Sequence, residues 1–280
     1  DVCSSDLGSP MKRIEVYHHG RCHHLDYREP LRLSARLDFA DNPTNLYGVA
    51  PADSAPLSYG DTVASVRYGG VCNAERISLV PHCHGTHTEC IGHILAETHN
   101  VADLPLEPFI AATLIRVRPQ RADGTTESYN ASAACEDWLI TRTALDDALA
   151  PLSGDYLQAL VIAVETPSDF CAAACAPYFS HQALARIVEL GVQHLLVDIP
   201  SIDRLYDGGR MDNHRRFWGL DAPDRPHSGR KYASVTELIQ VPAHAAAGHY
   251  FLTIQLPDLS GDALPSRPVL FSFSTGKVTS

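Results

Sequence analysis

The chain has 280 residues, 45% of them hydrophobic and 20% charged, with a formal net charge of −11. That length supports one large domain or two small ones around a substantial core. The acidic balance excludes nucleic acid and anionic membrane surfaces as partners, since neither attracts a negative protein, and no apolar run approaches the roughly 18–20 residues that span a bilayer.

The first ten residues, DVCSSDLGSP, lack the basic-then-apolar layout of a secretory signal. A methionine and the stretch MKRIEVYHH follow, so residues 1–10 are expected to be a non-native or disordered leader. Setting Cys3 aside leaves seven of the eight cysteines. An odd count without an export signal reads as a reduced, cytoplasmic protein. From Asp38, the stretch DFADNPTNLYGVAPADSAPLSYGD predicts a long irregular loop. Apolar, β-branched runs predict strands within 106–119 (LEPFIAATLIRVRP), 156–164, 194–199, 236–241 and 250–256. Helices are predicted at CEDWLITRTALDDALAPL (135–152) and SHQALARIVELG (180–191), the second capped by Ser180 and closed by Gly191. Cys171 and Cys175 lack the two-residue spacing of a zinc knuckle and read as small buried thiols. No linker or repeat divides the chain. Strands and helices without regular βαβ alternation predict a single α+β (mixed α/β) domain.

The chemistry concentrates in PHCHGTHTECIGHI, Pro81 to Ile94, where four histidines, two cysteines and a glutamate share fourteen residues. These residue types bind zinc and related divalent ions. Cys83, His87, Glu89 and His93 fall at odd positions, His82 and His84 at even ones. A straight strand would put Cys83 and Glu89 roughly 20 Å apart. The backbone must therefore curl, with Gly85 and Gly92 as the places for it. A bland alternative is a histidine-rich surface loop. One short loop rarely supplies a full ligand set, so distant partners are expected, and spacing alone does not choose them.

This stretch resembles the motif H-x-G-T-H-x-D-x-P-x-H of the cyclase family of metal-dependent hydrolases, the family of bacterial kynurenine formamidase and isatin hydrolase. Gly85, Thr86, His87 and His93 match; Cys83 stands for the first histidine, Glu89 for the aspartate and Ile91 for the proline. The resemblance extends from about Arg13 to Val278. It includes a D-x-x-S-x-D pattern at Asp198, Ser201 and Asp203, a histidine at His214, a strand-start glutamate at Glu237 in TEL, and the closing LPSRPVLF.

The resemblance implies a cyclase-like swivelling β/β/α domain holding one or two Zn2+ ions, with Mn2+ as the alternative. Cys83 and His87 would hold the first ion, Glu89 and Glu237 would bridge, and His214 would complete the second. A carboxylate inside the apolar run VTELIQV would be expensive to bury unpaired, which independently favours a ligand or ion pair at Glu237. His93 would be the general acid/base, and Asp198 and Asp203 supporting or structural groups. A thiolate at Cys83 leans toward zinc; alternatively His82 or His84 swings in. The 219–231 segment lengthens the gap between His214 and Glu237, and is expected to lie beside the metals. The implied reaction is attack of activated water on the carbonyl of an arylformamide, lactam or imide, with His93 protonating the leaving nitrogen. Dehydration or isomerisation on the same scaffold, or a silent metal-binding protein, are the alternatives. The implied partners are a small-molecule substrate and a second copy, as a homodimer or larger homo-oligomer.

Overall fold

Short β-branched runs interleaved with capped helices can bury both faces of a sheet, and this chain does so. The computed structural model describes residues 14–41, 44–129, 136–165, 176–221 and 229–275. The leader 1–10, Cys171 and Cys175 lie outside the described residues. Nine strands make one mixed sheet: β1 (Leu31–Arg32), β2 (His87–Glu89), β3 (Ile110–Val117), β4 (Ala159–Val164), β5 (His194–Val197), β6 (Ser234–Glu237), β7 (Gly248–Gln255), β8 (Ala263–Pro265) and β9 (Arg267–Phe271). The helices are α1 (Pro81–His84), α2 (Arg142–Leu149), α3 (His181–Glu189) and α4 (Asp212–Phe217). The spatial order is β8-β2-β6-β5-β4-β3-β7-β9-β1. Strands β3 to β6 are parallel, and the strands outside them pair antiparallel.

Parallel neighbours need crossovers, and α2, α3 and α4 supply them in turn. The expectation of no regular βαβ alternation therefore fails in this central stretch and holds in the flanks. Leu160 and Ile162 face Leu145, Leu184, Ile187 and Phe217 on one side of the sheet. Leu114, Val161, Leu196 and Leu252 pack on the other. Each such side chain contributes about 1.5–3 kcal/mol by leaving water, which is why these strands read as continuous apolar runs. A smaller sheet of Ile14–His18, Arg21–Leu25 and Phe273–Thr275 packs beside Phe251 and Tyr156. Among the described residues, no helix is long and apolar enough to cross a membrane.

Helix α3 starts as expected: Ser180 Oγ accepts the Ala183 N–H at 3.0 Å, and Gly191 closes it at φ 77°. The other predicted helix is shorter than its pattern. Trp138–Ile140 forms a strand beside Gln120–Arg121 and Tyr178–Phe179, and α2 begins only after Thr141, whose hydroxyl caps Ala144 at 3.2 Å. The long loop after Asp38 also carries structure, since Asp53–Pro56 pairs with Glu75–Ser78. Glu237 ends its strand rather than starting it, because Leu238 turns left-handed at φ 55°.

Burial at the start of β5 makes stability pH-dependent. His194 is buried beside the Ser234 hydroxyl at 2.9 Å. Burial first, then the positive charge of Arg230, lowers its pKa to about 4. The unfolded chain takes up that proton near pH 6.5 and the folded chain only near 4, so stability falls as pH drops through this window. The expected loss is about 3 kcal/mol by pH 4. Urea midpoints at pH 7 and 4.5 should differ less in His194→Asn than in the parent. An equal drop in both proteins would remove His194 as the cause.

Candidate metal centre

The floor of the site is built by two short strands. His87 and Glu89 are two residues apart on β2 and share a face, and the antiparallel register of β6 sets Glu237 directly opposite His87. On the other face the Thr88 and Thr236 hydroxyls meet at 2.8 Å and hold that register. Thr86 donates to the Leu238 carbonyl at 2.6 Å and accepts the Ala35 N–H at 3.0 Å, so it ties down the strand ends.

The expected curl is present. The chain passes from α1 into β2 and then into a 3-10 turn, Ile91–His93, which carries His93 back over Glu89. A Cβ at Gly92 would meet the His99 carbonyl oxygen at 2.4 Å, so only glycine fits there. Gly85 is different: at φ 169° it is extended backbone with open space, which any residue can adopt.

His214 enters from α4. Asp203 accepts the backbone N–H groups of Asn213 (2.7 Å) and His214 (3.0 Å) and lies 2.6 Å from His214 Nδ1. The Tyr129 hydroxyl donates to the same carboxylate at 2.6 Å. Asp203 thus caps the helix and also fixes the imidazole, leaving Nε2 bare toward the site. We expect Asp203→Asn to weaken metal affinity by about 10–100-fold while the fold persists. Equilibrium dialysis against a metal buffer measures it, and unchanged affinity would refute the positioning role.

Glu89 is the meeting point. Its Oε1 lies 2.9 Å from His214 Nε2, and its Oε2 lies 3.2 Å from His82 Nδ1 and 3.8 Å from His93 Nε2. Glu237 lies 3.5 Å from His214 Nε2 and 3.7 Å from His87 Nε2, and it accepts the Ile202 N–H at 2.8 Å. Two ligand sets share Glu89, namely His87–Glu89–Glu237 and His82–Glu89–His93, each with its ligating atoms within 4.8 Å of one another.

The residues fit a cation. His87 Nδ1 lies 2.9 Å from the Gly85 carbonyl, which leaves its Nε2 as a lone pair. That Nε2, the Nε2 of His214 and both oxygens of Glu89 are buried without a hydrogen-bond partner. Such groups are costly to bury unsatisfied, and divalent cations held at these sets would satisfy them.

Electrostatics give the same picture. Burial disfavours charge on Glu89, yet His214, His82 and His93 outweigh it and hold the carboxyl well below its ordinary range. Burial likewise opposes a proton on His214, but Glu89, Asp203 and Glu237 hold it well above the usual imidazole value. Burial pulls His82 down as well, and the carboxylates of Asp262 and Glu89 beside it raise it to about 10. His87, fully enclosed, is lowered by burial and stays neutral. Loading a cation would therefore release protons.

The fold brings His87, Glu89 and Glu237 into one ligand set and His82, Glu89 and His93 into the other; His214 stands in neither set but lies 2.9 Å from Glu89 and 3.5 Å from Glu237. Cys83 does not join either ligand set: it is buried in α1, and burial raises its thiol pKa. His84 turns away, its Nδ1 accepting the Val80 N–H at 2.9 Å. His82 faces Glu89. Asp198 accepts the Val164 N–H at 2.8 Å and ties β5 to β4, with burial raising its pKa to about 6. One participant escaped sequence reading. Asp262 Oδ2 lies 2.9 Å from His82 Nε2 and 3.1 Å from His93 Nδ1, and these two rings stack at 4.1 Å. Its only sequence signal was its place two residues before the family-like LPSRPVLF.

The cleft above the ligands holds about 570 Å³ and is walled by Tyr47, Pro200, Leu205, Tyr206 and Met211. Of the 219–231 segment, residues 222–228 lie outside the described residues. Its flank at Gly229, with Lys231 and Tyr232, lines a separate cavity of about 610 Å³ against Ile91 and His99. Among the described residues, this flank is absent from the cleft lining.

With this geometry in hand, the comparisons with known proteins name the class. The Cyclase family profile matches residues 6–204, and the chain belongs to that family. Its fold is similar to isatin hydrolase A from Labrenzia aggregata (14% identity, TM-score 0.59, covering 87% of this chain and 93% of the other). It is also similar to a predicted metal-dependent hydrolase from Bacillus stearothermophilus (15%, 0.52, 87% and 98%). A further neighbour is a novel cyclase (14%, 0.57, 88% and 89%). No curated protein matches the sequence.

Proposed function

We propose that this protein is a metal-dependent hydrolase that cleaves a C–N amide bond in an arylformamide or a cyclic amide. The observation that carries this reading is the set of orphaned, buried ligand atoms on His87, Glu89 and His214 at the foot of an aromatic-walled cleft. Family membership and the hydrolases among its structural neighbours support it. When bound, one or two divalent ions would lower the pKa of a water toward 7 and polarise the carbonyl. Imidazole and carboxylate donors suit zinc and manganese alike.

The chain's own residues do the rest. His87, Glu89, His214 and Glu237 would hold the cation, and Glu89 belongs to both ligand sets. His82 takes the ligand position that the family motif gives to residue 83. Asp262 holds His93 through Nδ1, and Nε2 is the nitrogen assigned to pass a proton to the leaving nitrogen. Tyr47, Tyr206, Leu205 and Met211 accept the aryl ring and exclude water. Burial and the charge of Glu237 push the Tyr47 hydroxyl up to about 12, so it stays a donor at neutral pH.

The test is a panel of arylformamides, lactams and imides turned over in 18O-water by metal-loaded protein. The expected acid product carries solvent oxygen; an unlabelled product would replace hydrolysis with dehydration or isomerisation. Metal content by mass spectrometry should fall in His82→Ala and stay at the parent level in Cys83→Ser. The reverse pattern would restore Cys83 as the ligand.

A further inference from the structure

A second set of ligating groups lies on the N-terminal hairpin, away from the cleft. Strands Ile14–His18 and Arg21–Leu25 pair antiparallel, with Glu15 opposite His24 and Tyr17 opposite Cys22. Opposite residues share a face and so do residues two apart, so Glu15, Cys22 and His24 project together. The inner face is occupied by Val16, His23 and Leu25, which pack toward Phe251 and Phe273. The outer face is backed by a three-stranded sheet, since Phe273–Thr275 pairs with Arg21–Leu25.

The donors are one carboxylate oxygen, one thiol sulfur and one imidazole nitrogen, all within 4.8 Å of one another. Three bonds of about 2.0–2.3 Å in tetrahedral arrangement place ligand atoms roughly 3.3–3.8 Å apart, so small side-chain rotations suffice. A second observation is independent of that spacing. His24 Nδ1 is shielded from solvent and has no hydrogen-bond partner, and its distance to Glu15 Oε1, 3.6 Å, is too long for one. A shielded ring nitrogen left facing a carboxylate and a thiol is an arrangement that a soft divalent ion satisfies.

We propose that Glu15, Cys22 and His24 form a surface zinc-class site, separate from the hydrolase centre, with its remaining position left to water. Thiolate with imidazole selects zinc, cobalt or copper over magnesium and calcium. None of the three residues lines the cleft, so their loss should leave turnover within about twofold of the parent.

Chelator-stripped protein titrated with Co(II) tests this, because a cobalt–thiolate charge-transfer band requires a cysteine ligand. The band should appear in the parent and in Cys83→Ser and vanish in Cys22→Ser. Zinc content should fall by one ion per chain in Cys22→Ser and in His24→Ala, and Glu15→Gln should weaken affinity by at least about tenfold. All three substitutions sit on the outer face, and matching thermal melts of the stripped proteins confirm that each variant folds. A band that survives Cys22→Ser, or zinc content unchanged in both Cys22→Ser and His24→Ala, overturns the proposal.

Discussion

Glu89→Gln should empty the centre. The side chain keeps its size but loses the charge shared by both ligand sets, and it is fully buried among three imidazoles. Metal affinity should fall by more than the roughly 10–100-fold typical of losing a supporting hydrogen bond, and turnover should fall with it. The clearer readout is stability. A ligand present at about a thousand times its Kd stabilises the folded state by about 4 kcal/mol. The parent should therefore melt higher when metal is added, and Glu89→Gln should not respond. A variant that still gains stability from metal would show that Glu89 is not the shared ligand.

The second large effect is expected at His93. His93→Ala should retain its metal and lose about 10²–10⁴-fold in kcat, the usual contribution of a positioned acid/base. The geometry makes this a sharp test, because His93 Nε2 also belongs to a ligand-capable set with Glu89 and His82. Loss of one ion in His93→Ala would make it a ligand. Full turnover would remove it from the mechanism altogether. Metal content and kcat measured on the same preparation separate these outcomes.

Much of the site was legible because its chemistry is local. His87 and Glu89 alternate on one strand, Ser180 caps α3, and apolar runs marked β3, β4 and β5 within a few residues. Two expectations differ from the structure. Trp138–Ile140 joined the pattern of the helix after it, and only pairing with Gln120–Arg121 and Tyr178–Phe179 makes it a strand. The family resemblance puts Glu237 at a strand start, and the left-handed turn at Leu238 puts it at the end. At Trp138–Ile140 a contact distant in sequence overrode the local preference, whereas at Glu237 the backbone turn of the next residue decided it.

By itself the sequence determined the donor types, the central strands and the density of ligands between Pro81 and Ile94, since these depend on side-chain chemistry and short-range periodicity. The tertiary structure decided which donors meet. In a helical turn, neighbours point about 100° apart, so α1 aims His82 at Glu89 and leaves Cys83 in neither set, a difference that odd–even spacing cannot express. Glu237 reaches His87 only through the β2–β6 register, and Asp262 reaches His82 and His93 only through the chain leading into β8. Those meetings span well over a hundred residues of chain, and the packing of the sheet, not local preference, holds them.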